Sequence, residues 1–500
     1  MLQVVWFKRD LRSSDHAPLQ VAAKHGPVLC LYVVERDYWQ LPDTSDRQWQ
    51  FVRESLQDLH HQLQALGAAL QVVEGDLITT LNAIRAQHGP LALHSHEETG
   101  NLWSFARDTA VARWCRQQQV VWRQYKQFGV QRGSERNRDQ WSQWRQQWLE
   151  QLPAPCAPIT HSVATSAALA PAQWPQSVKT DPLPCPGRQP GGRTAGLALL
   201  QSFTQQRGEQ YRGSLSRTDS AARHGSRLSA HLAYGTLSLR EVCAATQRAQ
   251  ASATGRWRQS LAAFASRLWW HCHFIQKLES QPTIETTPQI TVLQQLPSCS
   301  DLERLQRWQF GTTGWPLVDA AMRYLHHHGW VNFRMRAMLV SVATHTLQLP
   351  WQCVAEWLAG QFVDYEPGIH YPQVQMQSGL SWNPVLRIYN PTTQAQQLDP
   401  DGRFIRRWVP ELANTPDAWL QQPWQLPTTL RQRFAGAADY PPPMVDHQLA
   451  NRQRKAAIAA IEQREGIIRP SQRPAGSTNR RQRGSNPPAR AVNKQQLSLF

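Results

Sequence analysis

Two arginines, Arg334 and Arg336, stand among apolar residues about two thirds of the way along this 500-residue chain. A guanidinium in a buried pattern is very costly unless it is paired. Each therefore needs an anionic partner, either a nearby aspartate or the phosphates of a bound nucleotide. A second group with chemical potential is Lys8-Arg9-Asp10-Leu11-Arg12, a charged turn after the first apolar run. If that run is a parallel strand, the turn lies at its carboxyl end, where open α/β sheets bind ligands; a solvated, salt-bridged turn is the alternative. The triplets His271-Cys272-His273 and His326-His327-His328 resemble ligand clusters. Both fall in helical patterns, where neighbouring side chains diverge by about 100°, so no metal is expected. The eight cysteines form no CxxC pair and are expected to be reduced, buried thiols.

The elements that must position these groups can be read from periodicity. In Trp308–Arg336, WQFGTTGWPLVDAAMRYLHHHGWVNFRMR, Gly314 and Trp315 lead into Pro316, which suits a first helical turn. Leu317, Ala321, Tyr324 and Leu325 recur at helical spacing, and a second helix starts after Gly329. Toward the N-terminus, Val4–Phe7, Leu29–Val34, Leu70–Val73 and Val120–Trp122 are short apolar runs of buried-strand type. Between the second and third, Val52, Leu56, Leu59, Leu63 and Leu66 mark a helix. Alternating strands and helices predict an α/β parallel sheet over residues 1–130. No GxGxxG follows the first strand, so an ordinary dinucleotide site is not expected there. Residues 131–195 are expected to be a linker, with nine prolines between 152 and 193 in an extended surface path. Helical periods dominate 196–462, which reads as an all-α domain.

The net charge of +17 points to a polyanionic partner, most plausibly nucleic acid. No apolar run is long enough for a membrane span, and the N-terminus lacks a signal-peptide pattern, so the cytoplasm is the expected location. Residues 466–500 hold seven Arg or Lys and no acidic residue, and the tail from 463 is expected to be disordered.

Four long motifs resemble the photolyase/cryptochrome flavoprotein family: VVWFKRDLRSSDHAPL, GSRLSAHLAYGTLSLRE, GTTGWPLVDAAMR and RIYNPTTQAQQLDPDGRFIRRWVPEL. They occur in the family order, and the likeness runs from residue 1 to about 462, outside most of the linker. The resemblance implies an α/β, Rossmann-like antenna domain joined to an all-α domain that holds FAD. It also implies blue-light-driven repair of pyrimidine dimers in UV-damaged DNA, or alternatively a cryptochrome-like photoreceptor. An antenna pigment (folate, deazaflavin or flavin) and a monomeric state go with the repair reading. By position, Tyr211 and the Gly225, Ser226, Arg227, Leu228, Ser229 turn match the segment that holds the FAD pyrophosphate. Arg336 and Asp364 match an arginine–aspartate pair beside the flavin ring, Glu366 a second acidic residue, and Trp330 an aromatic near the flavin. His370 stands where many members have an asparagine facing flavin N5. There it could act as a proton donor or simply bond to backbone. Trp270 matches a residue that stacks on the lesion, with a core tryptophan as the alternative.

Several positions depart from the common pattern. Trp351 matches the middle member of the family's tryptophan electron chain, but Val374 stands at the flavin-proximal place, and Tyr371 offers another aromatic route. Arg267 replaces a lesion-binding glutamate, and Phe333 stands where asparagine is common. The eukaryotic (6-4) histidine pattern is missing from 330–333, and no cysteine follows Cys353 to hold an iron–sulfur cluster. Finally, Gln496, Leu497, Ser498, Leu499 and Phe500 resemble the short motif with which bacterial proteins bind the DNA sliding clamp.

Overall fold

The computed structural model describes residues 1–132, 138–155, 158–181, 183–383 and 385–469. The clamp-like motif at 496–500 lies outside them. Five parallel strands, β1 (Leu2–Phe7), β2 (Val28–Val34), β3 (Leu70–Glu74), β4 (Leu91–His96) and β5 (Val121–Tyr125), form one sheet in the order β3-β2-β1-β4-β5. Every residue of β1 and β2 is buried because helices cover both faces, as parallel sheets require. The expected helix between β2 and β3 spans Asp46–Ala65 and buries Val52, Leu56, Leu59 and Leu63. Strand β4 has no counterpart in the apolar runs of the sequence. Its LALHSH carries three polar residues, yet all six positions are buried. His94 is satisfied by Gln3 Oε1 at 2.9 Å and His96 by Asp10 Oδ2 at 2.7 Å.

The 131–195 segment is more than an extended linker. It contains a helix, Arg138–Glu150, and then adds backbone bonds to the first domain. Val28 and Val163 alternate as donors (Val28 N to His161 O, Val163 N to Val28 O, both 2.8 Å), and Leu169 N donates to Val72 O at 2.8 Å. Trp174 is buried and the Nε1 of Trp49 donates to Pro175 O at 2.9 Å. Prolines exclude regular ladders there, but the apolar residues between them still find the core.

From Arg193 onward the described elements are helical. Trp315 caps the Pro316–His328 helix, which ends at the left-handed Gly329, and the second helix spans Phe333–Ser341. The turn at Lys8–Arg12 joins the two domains and is not solvated. Arg12 Nη1 donates to Gly235 O at 3.0 Å, Arg9 Nε to Ala233 O at 2.9 Å and Arg9 Nη2 to Tyr365 O at 2.5 Å. Gly235 is required where it stands, because its φ is +61° and a Cβ would lie 2.3 Å from Arg9 O. The ordered body also extends past 463. Arg469 is buried and bonds to Glu462 and to the carbonyls of Gly379, Ser381 and Asn383. No helix among the described residues is long and apolar enough to cross a membrane.

Candidate functional site

A cavity of about 370 Å³ opens in the helical domain. Its walls come from the Tyr211 and Gly225–Ser229 segments, the Gly255–Ser280 helix, the Trp330–Arg336 stretch and the segment around Asp364 and His370. Arg336 Nη2 donates to both carboxylate oxygens of Asp364, at 2.9 and 2.8 Å, while its Nε is held by Val331 O. The partner sought for Arg336 is thus an aspartate; Arg334 instead lies over the ring of Tyr389 at 5.9 Å.

Arg227 differs from Arg336. Its φ of +61° is left-handed, and its guanidinium lies 3.9 Å from the ring centre of Trp330. Its Nη1 is shielded from solvent with no hydrogen-bond partner. Burial lowers its pKa to about 10, which leaves it cationic at neutral pH. An anionic ligand would satisfy it. The turn that carries it is clamped from behind by Arg207, which donates to the carbonyls of Gly225 and Ser226. Tyr211, buried and hydrogen-bonded to Arg267, has its phenol pKa raised to about 12 by burial.

Two residues beyond Asp364, burial pushes Glu366 up to about 7, although Arg9 lies 3.5 Å away and opposes the shift. His370 moves the other way. Burial lowers its pKa to about 4, and its Nε2 bonds to Ala355 O at 2.8 Å. A carbonyl can only accept, so Nε2 carries the proton and the ring is neutral near pH 7. Of the two readings open for His370, the backbone bond is the one present here, and Glu366 is the wall residue whose carboxyl is pushed up to about 7. Infrared difference spectra of the Glu366→Gln variant against wild type are expected to locate a carboxylic C=O band that disappears as pH rises through about 7. A band lost near pH 4.5, the ordinary carboxyl range, would contradict this.

Residues 3–156 match the family of DNA photolyase, and residues 264–462 match the FAD-binding domain of DNA photolyase. A deoxyribodipyrimidine photo-lyase of Vibrio cholerae is 28% identical over 473 residues, covering 89% of this chain and 97% of that protein. A cryptochrome DASH of Gloeobacter violaceus is 29% identical, covering 89% and 93%. Among solved structures, a class III photolyase from Agrobacterium tumefaciens superposes with a TM-score of 0.81 at 24% identity, covering 92% of this chain and 98% of that one.

The chain belongs to the photolyase/cryptochrome family.

Within this family fold, the residues singled out by sequence resemblance converge. Tyr211, Gly225, Ser226, Arg227, Leu228, Ser229, Trp270, Trp330, Arg336, Asp364, Glu366 and His370 all line the one cavity. Arg267, Phe333 and Val374, the divergent positions, line it too. Trp351 does not; it is buried in the core at the start of the Trp351–Gln361 helix. Trp270 stands against Trp269 and Phe274, with ring centres 5.2 and 5.9 Å away, so its plane is fixed from two sides. The adjacent His271, Cys272 and His273 diverge as helical geometry demands. His271 meets Phe128, His273 stacks on Trp269, and Cys272 is fully buried.

Sequence reading missed the positioning role of Arg207 and a buried trio, Asp10, His16 and His96. Among the described residues these three are the only group with ligand atoms close enough for a metal, within 4.8 Å. Hydrogen bonds account for the arrangement. Asp10 Oδ2 accepts from His16 Nε2 at 2.8 Å and His96 Nδ1 at 2.7 Å, and His16 Nδ1 accepts from Leu19 N. The two imidazoles hold the Asp10 carboxyl well below the usual range. A separate crevice at the carboxyl ends of β1 and β2, beside the charged Lys8–Arg12 turn, encloses only about 40 Å³. Ordinary ligand sites start near ~300 Å³, and here Lys8 and Arg107 both lie over Trp6.

Proposed function

We propose that this protein binds FAD in the helical-domain cavity and uses blue light to repair UV-induced pyrimidine dimers in DNA. The observation that carries the reading is the donor set of the cavity. A cationic Arg227 with an unsatisfied Nη1 suits a diphosphate, and the Arg336–Asp364 pair lies on the same wall as the titrating Glu366. Reduced FAD, when bound, supplies a light-excited electron donor. The protein's residues do the rest. Arg227 neutralises phosphate charge, the Arg336–Asp364 pair fixes the cavity wall, and Trp270 offers a held aromatic face on which an extruded base can stack. The charge of +17 favours approach to DNA.

The photoreceptor reading is favoured by one observation: Arg267, a donor, lines the cavity where the repair pattern has an accepting carboxylate. One experiment separates the two. The reduced holoprotein is illuminated with single- and double-stranded DNA carrying either a cyclobutane dimer or a (6-4) product. Light-dependent loss of at least one lesion is expected. Repair of none by FAD-loaded protein would overturn the repair reading and leave the receptor.

A further inference from the structure

Val374 stands where the resemblance puts a flavin-proximal tryptophan, and Trp351 lies outside the cavity lining, so the aromatic electron donor to this cavity must be sought elsewhere. Tyr365 meets the requirements. It is 2% exposed, lies between Asp364 and Glu366, and lines the cavity with them. Its hydroxyl donates to Asp43 Oδ2 at 2.5 Å, a bond that spans 322 positions and comes from the sheet domain. Asp43 is itself buried and is oriented by Asn101 Nδ2 at 3.0 Å. Behind Tyr365 stands Tyr371, whose ring centre is 6.4 Å away and whose side chain shares a hydrogen bond with it.

An aromatic donor in a buried site must not keep the positive charge left by losing an electron, since an unpaired buried charge is very costly. A phenol avoids this by releasing its proton, which requires a base within hydrogen-bond distance. Asp43 is that base. Burial and the neighbouring Asp43 charge raise the Tyr365 pKa well above its usual value, so the proton rests on the phenol in the dark. The other titratable groups against Tyr365 do not compete for it. His370, 5.4 Å away, is neutral and bonded to Ala355 O, while Glu366 faces Arg9, which also binds the Tyr365 carbonyl.

We propose that Tyr365 is a redox-active tyrosine, giving one electron to the light-excited ring of a flavin in the cavity while its phenolic proton passes to Asp43. The proposal rests on the FAD reading above. The phenol O–H bond breaks, an O–H bond forms on Asp43, Tyr365 becomes a neutral phenoxyl radical, and the flavin ring takes the electron. Without a reductant the electron and proton return along the same path. With a dissolved thiolate, one electron passes to the phenoxyl by way of the Tyr371 ring, the proton returns from Asp43 to re-form the Tyr365 O–H bond, and two thiyl radicals close to a disulfide.

The test uses the full-length, FAD-loaded, oxidised protein under blue flashes, read by transient absorption and electron paramagnetic resonance. A phenoxyl signal is expected in the wild type, narrowed when tyrosine is supplied ring-deuterated, and absent in Tyr365→Phe. In Asp43→Asn it should form about 100-fold more slowly and lose its solvent deuterium isotope effect. An indole radical in the wild type, or a phenoxyl signal that survives Tyr365→Phe, overturns the proposal. Should Tyr365→Phe fail to fold, the labelled wild type decides between tyrosine and tryptophan, and Tyr371→Phe should keep the first-formed signal. Protein that purifies without FAD defeats the cofactor reading itself; FAD-loaded protein without a phenoxyl signal defeats only this proposal.

Discussion

Asp364→Ala is expected to lower the unfolding free energy by about 3 kcal/mol, the usual scale for removing one partner of a buried ion pair, and to yield protein depleted of flavin. The Asp364 side chain is 5% exposed and accepts two hydrogen bonds from Arg336 Nη2. Truncation leaves a guanidinium facing the cavity, with Val331 O and the ring of Phe362, 4.0 Å away, as its remaining neighbours. Water entering the cavity would screen part of the cost, which keeps the figure at the low end of the range. The double variant Asp364→Ala/Arg336→Met should recover much of the stability, because the orphaned charge goes with its partner, but not the flavin content. Urea titration of the flavin-free proteins and absorbance of the purified holoproteins measure the two effects separately. A stability loss within experimental error would show that the pair is dispensable to the fold.

The second large effect is expected at Asp319, in the GTTGWPLVDAAMR motif. Asp319 is fully buried and accepts from Thr313 N at 2.8 Å, Thr313 Oγ at 2.6 Å, Gly314 N at 3.1 Å and the Tyr440 hydroxyl. It therefore satisfies the turn that launches the Pro316–His328 helix and ties that turn to a residue 121 positions away. Asp319→Ala leaves two backbone donors and two hydroxyls without their acceptor in a dry site. At roughly 1–3 kcal/mol per unsatisfied group, and with the hydroxyls free to rotate toward other acceptors, a loss of about 4 kcal/mol is expected. Asp319→Asn should lose less, since one oxygen still accepts. Thermal unfolding of the three proteins checks the order; an Ala variant as stable as wild type would show that the turn is held by other bonds.

Much of the candidate site was legible because its residues sit in short, contiguous motifs. The Gly225–Ser229 turn, the Trp330–Arg336 stretch and the Asp364–His370 run each bring several cavity-lining side chains together through local geometry alone. The helix beginning at Pro316 was legible for the same reason: its start signal, apolar spacing and terminal glycine all lie between Gly314 and Gly329. Strand β4 was not legible. Its histidines and serine break the apolar run that marks a buried strand, and their burial is tolerable only because Gln3, Asp10 and Trp122 supply partners from other strands and turns. His370 shows the same limit at the level of chemistry. Its residue type allowed either a proton donor or a bond to backbone, and only burial with the Ala355 carbonyl decided for the neutral, backbone-bonded imidazole.

The sequence by itself determined the α/β-then-helical order, most strands of the parallel sheet, the Asp46–Ala65 and Pro316–His328 helices and the family, because each depends on periodicity or on motifs whose residues are neighbours along the chain. Only the tertiary structure decided what the charged and aromatic residues do. Asp43 reaches Tyr365, Arg9 reaches Glu366, and Asp10 gathers His16 and His96 across distances no local pattern encodes. The protonation of these groups follows from how completely the fold removes water around them, and that is a property of packing, not of residue type.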